Sequence, residues 1–183
     1  MNFQNLDPIT RKIMLDEMTG DLHAGNLYFS NRLNDHGRVL YPVLLKEAII
    51  SGDASMLAAR IRVEGCLKAM ERRGKGIAQI PYNAHETLAE GEFNRYYIRA
   101  LCRRAIEENR VLVVYRAKEV MSPRIESEMR IGRTIEAAIL LNDLRNHIGV
   151  ETALGIPAGP CSGLSVKFLS DDSTEELMPR KVA

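Results

Sequence analysis

Apolar residues in this chain recur mostly at three- and four-residue steps, and continuous or alternating apolar runs are few and short. The pattern therefore predicts helices first and strands second. Asp7 before Pro8 is an N-cap followed by a proline at the first helical position, and Ile9, Ile13, Met14 and Met18 continue at helical spacing, predicting a helix over about 8–19. "GNLYFSN" from Gly25 reads as an extended segment and "NDHGR" from Asn34 as a turn, with a second helix from Tyr41-Pro42 to Gly52. Asp53 caps a third helix through Leu57 and Ile61, and "RRGKG" (Arg72 to Gly76) is a basic turn feeding a short strand, "IAQIPY". "VLVVYRAK" (Val111 to Lys118) is apolar on both faces at its start, as a central strand should be. Ser122-Pro123 opens a short helix or turn. Thr134 is expected to cap a helix burying Ile135, Ala138, Ile139, Leu141, Leu144 and Ile148, and "LSVKFL" forms a last strand.

The strongest pattern lies between Glu86 and Asn109, where Arg95, Arg99 and Arg103 step by four. At 100° per residue they share a narrow stripe with Glu92, while Phe93, Tyr96, Tyr97, Ala100, Leu101 and Ala105 cover most of the remaining circumference. Such a helix is enclosed except along its charged stripe. The stripe is expected to face water or a neighbouring subunit, since Arg is favoured at protein interfaces. One bordering ring, Tyr96, is too little for a base-stacking platform.

The balance of 25 basic and 24 acidic residues, net charge +1, supplies no long-range field for a polyanion. Nucleic acid is thus a less favoured partner, with Arg72, Arg73, Lys75 and the arginine stripe as the residues that would hold it. Hydrophobic residues are 45% of the chain and aromatics 5%, so aliphatic side chains and Met build the core. The three cysteines, at 66, 102 and 161, have neither disulfide-framework nor zinc spacing. With no apolar run of membrane-spanning length, the expectation is a cytoplasmic protein, or one assembled into a particle from the cytoplasm, without membrane partners.

Candidate chemistry is sparse. Arg116 and Lys118 alternate along the central strand, and with Ser122 and Arg124 they are a candidate site for a phosphate or carboxylate; the competing reading pairs them with Glu119, Glu126 or Glu128. Arg116-Ala117-Lys118 lacks the acid that metal-dependent nucleases place two residues before a strand lysine. His85-Glu86 has no second His at the zinc-protease spacing, Cys102 reads as a core residue, and Glu86, Glu90 and Glu92 suit a helix N-terminus. The glycines at 155, 159 and 163 lack the Lys-Ser/Thr ending of a P-loop. No catalytic residue, metal site or cofactor is expected.

"LYFSNRL", "AHETLAEGEFNRYYIRALCRRAI", "YRAKEV", "PRIESE" and "ETALGIPAGPCSGLSV" resemble segments of bacterial proteins of similar length without established activity, some of them carried by prophages. The resemblance implies no catalytic residue. Taken together, the sequence predicts a single α+β domain over 1–169, with a helical N-terminal half and a small mixed sheet of three to four strands packed by helices, then a polar flexible tail over 170–183. Its expected function is binding other protein subunits, self or assembly partners, as part of a phage-like or other particle. An enzyme or binding domain for a small anion is the alternative, and a nucleic-acid-binding protein the second.

Overall fold

The computed structural model describes residues 1–149 and 163–169. The Gly/Pro loop from Gly155, Cys161 and the tail from Ser170 lie outside the described residues, apart from Gly163 at the loop's end. Helices α1 (Pro8–Ala24), α2 (Asp35–Ser51) and α3 (Ala54–Val63) come first, then a hairpin of β1 (Met70–Arg73) and β2 (Gly76–Gln79). The long helix α4 (Ala84–Glu107) follows, then β3 (Leu112–Arg116), the single turn α5 (Ile125–Glu128), β4 (Thr134–Ile135), α6 (Ala137–Asn146) and β5 (Leu164–Phe168). The fold is α+β with a helical N-terminal half.

Local chemistry explains most boundaries. Asp7 accepts the Thr10 amide and Asp53 the Met56 amide, so both predicted caps start their helices. α2 starts earlier than its Tyr41-Pro42 signal. Asn34 accepts the Gly37 amide, and the helix runs through Pro42 at the cost of one backbone bond. Thr134 does not cap α6. It pairs with β3 as part of β4, Glu136 takes over the cap, and Leu140, Leu141 and Leu144 form the buried side while Ile139 is exposed.

Among the described residues every strand pairing is antiparallel, rather than mixed. β3 lies between β4 and β5, and β1 and β2 form a separate two-stranded sheet. Central position accounts for the apolar start of β3: Leu112, Val113 and Val114 are all buried. α4 is the axis of the molecule, with α1, α3 and α6 packed around it and the three-stranded sheet against it. Phe93, Tyr96, Tyr97, Ala100 and Leu101 sit in one apolar cluster that runs from Ile13 to Phe168. An N-terminal strap ties sheet to helix. The Asn2 amide donates to the Ala117 carbonyl, the Tyr115 hydroxyl to the Asn2 carbonyl, and the Phe168 amide to the Asn5 side chain. Phe3 packs its ring on Phe93 and Tyr97.

Candidate functional site

The arginine stripe of α4 turns inward, against expectation. Arg95 is 8% exposed and Arg99 3%, and what they meet is their own chain. α1 carries Glu17 and Asp21 one turn apart, matching the one-turn step from Arg99 to Arg103. Arg99 donates its Nε to Glu17 at 2.7 Å and its terminal nitrogens to Asp21. Arg103 reaches Glu17 at 3.4 Å, and Arg145 from the last turn of α6 donates two further bonds to the same carboxylate. Burial alone would raise the Glu17 pKa, but Arg145 and Arg99 outweigh it and hold the carboxyl below its ordinary range. Tyr96 donates its hydroxyl to Asp21, and Tyr96 and Tyr97 are both buried, so neither offers a stacking face. A helical wheel shows where charge lies but not what faces it, so the stripe reads the same against water as against α1. One signal was available: Glu17 lies with Met14 and Met18 on the buried side of α1, where an acid needs a cation.

Among the described residues the Tyr41 hydroxyl, Glu92 Oε2 and Arg95 Nε are buried without hydrogen-bond partners. Arg95 Nε stands 3.3 Å from Glu92 Oε1 without hydrogen-bond geometry, and a terminal nitrogen of Arg95 donates to the His147 carbonyl. Enclosure pushes the Glu92 carboxyl up to about 7, against the pull of Arg95.

The anion-site candidates take separate acidic partners. Arg116 pairs with Glu128 of α5, as the competing reading expected, whereas Lys118 donates to Glu90 of α4 at 2.6 Å. Ser122 is exposed and Arg124 half-buried ahead of α5, a helix of one turn.

Arg72, Arg73 and Lys75 belong to the hairpin. Gly74 at φ +57° and Lys75 form its two-residue loop between the paired Arg73 and Gly76. Arg73 is bound to Glu71, and Glu71 in turn takes two bonds from Arg32. By register, Met70, Arg72, Ile77 and Gln79 share one face and Glu71 and Ala78 the other. The second face lies toward Arg32; the first is exposed at all four positions.

A groove of about 550 Å³ runs between α3 and the start of α4, lined by Ala54, Ala58 and Ala59 on one helix and His85, Glu86 and Glu90 on the other. His85 Nε2 lies 3.9 Å from Glu86, and the Glu90 carboxylate holds Lys118. The three acids read together in the sequence thus have three fates: Glu86 is exposed, Glu90 is paired and Glu92 is enclosed. Among the described residues no cluster of His, Cys, Asp or Glu has the make-up of a metal site, and no helix is long and apolar enough to cross a membrane. Comparison with protein-family models, with curated proteins and with solved structures returned no match.

Proposed function

We propose that this chain is a non-catalytic, protein-binding subunit of a larger assembly, a phage-like particle on the resemblance of its sequence, and that the β1–β2 hairpin meets the partner. The outer face of that hairpin carries the reading. Met70, Arg72, Ile77 and Gln79 stand on it in water, with Ile77 75% exposed, and no residue of either strand is buried. A two-stranded hairpin has little stability of its own and is favoured where a further surface covers it. Its outer edges present main-chain groups to which a partner strand can add. Apolar side chains flanked by Arg72 and Lys75 suit a partner whose apolar patch is edged by acids.

The test is co-expression with the products of neighbouring genes, followed by affinity purification and light scattering on the eluted complex. We expect a complex heavier than the single chain. The double variant Met70→Ser, Ile77→Ser should lower the co-purified partner at least ~10-fold while unfolding as cooperatively as the parent, because exposed positions contribute within about 0.5 kcal/mol to stability. A strict monomer that retains no neighbour, or a partner held in full by the double variant, would sink the proposal.

A further inference from the structure

The hairpin does not account for a second exposed feature, at the junction of α1, α4 and α6. Arg103 and Arg145 are half-exposed, with 30% and 46% of their side chains in solvent. Both direct a terminal nitrogen at Glu17 Oε1, which holds the two guanidinium groups side by side. Glu17 is the only acid paired with either of them among the described residues, and it is already bound from behind by Arg99. A carboxylate has about four acceptor positions, and the Nε of Arg99 with two bonds from Arg145 takes three of them. The bond from Arg103, at 3.4 Å, is the longest of the set. Three guanidinium groups thus share Glu17 and Asp21, which leaves one formal positive charge at the solvent side, on planar donors suited to bidentate recognition of a carboxylate.

The geometry points to Arg103 and Arg145 as the receptor for a single carboxylate, supplied by an aspartate or glutamate side chain of the partner protein. This assignment rests on the protein-binding reading above and uses elements other than the hairpin. One formal positive charge spread over two planar forks matches a single carboxylate, and a phosphate chain would bring more negative charge than the two groups offset.

The site is tested on the full chain with propionate, which reproduces the end of a glutamate side chain, by following the arginine Nε–H resonances at constant ionic strength. The signals of Arg103 and Arg145 should shift together and saturate, while that of Arg72 stays in place. Arg145→Gln and Arg103→Gln should each weaken the response at least ~10-fold, as loss of one fork of a two-fork site implies. Arg145 is the more exposed, so its variant carries the test if Arg103→Gln does not fold. In the purified complex, Arg145→Gln should speed dissociation of the partner. Silent resonances in the parent chain would overturn the receptor by themselves, whatever the hairpin binds. A short thymidine oligonucleotide that shifts the same signals more strongly than propionate would overturn the choice of a carboxylate. Propionate binding in a chain that captures no protein would remove both this assignment and the reading under it.

Discussion

Glu92 holds its carboxyl where water is excluded, one turn before Arg95. Its folded pKa of about 7 lies above the ordinary 4.5, so the folded state keeps a proton that the unfolded chain releases. Stability from this group is therefore full below about pH 4.5, declines as pH rises toward 7, and is level above that. The span corresponds to about 3 kcal/mol. Urea denaturation of Glu92→Gln between pH 5 and 8 should show that slope flattened, and an unchanged slope would assign it to other groups. Arg99, by contrast, is held in its charged form. Burial disfavours its charge, yet hydrogen bonds and charge attraction from Asp21 and Glu17 outweigh that cost and raise its pKa. Arg99→Met leaves Glu17 to Arg103 and Arg145 and Asp21 to the Tyr96 hydroxyl, and should cost about 3–5 kcal/mol, read from chemical denaturation. At this scale the sequence shows which residues are charged and in what step. It does not show that Glu17 and Asp21 stand opposite, because residues more than seventy positions apart become neighbours only when the helices pack.

At the scale of elements, the caps were legible and the exceptions have physical causes. Asn34 looked like turn chemistry, and it is, but the turn is the first turn of α2. The same side chain accepts the Gly37 amide and donates to the carbonyls of Gly65 and Leu67, tying α2 to the end of α3. Asn34→Ala should therefore destabilise by about 1–2 kcal/mol in thermal or chemical melts. Gly37 is there for approach rather than for its dihedral freedom, since a Cβ would sit 2.1 Å from the Cys66 carbonyl oxygen. Gly37→Ala must push backbone from backbone, and a loss of about 1–3 kcal/mol is expected; a neutral melt would mean that the two segments separate readily. The two-residue strand β4 could not be read from periodicity, because two residues contain no period. Ile135 fits the period of the helix that it precedes, and the sheet decides its pairing with Leu112.

Across the whole molecule, α4 is enclosed on every side that the other elements reach, and the N-terminal strap closes the arrangement over the sheet. Removing residues 1–5 deletes the bonds to Ala117, Tyr115, Tyr97 and Phe168 along with the Phe3 ring contacts. Hydrogen exchange should then lose protection along β3 and β5 before the α1–α4 interface, and uniform loss would show that the sheet and helices open as one unit. The hairpin stands outside this enclosure, held by Arg32 and Glu71, which is why it can be altered without touching the core.

The sequence by itself determined the α+β class, the positions of most helices, the central strand and the burial of the α4 aromatics. All of these follow from propensity, capping and periodicity, which act within a few residues. Tertiary structure alone decided the destination of the arginines, the pairing of Arg116 and Lys118 with different acids, and the exposed face of the hairpin. A charged stripe has the same local pattern against water as against an acidic helix. Only packing, which weighs desolvation against a facing partner, tells the two apart.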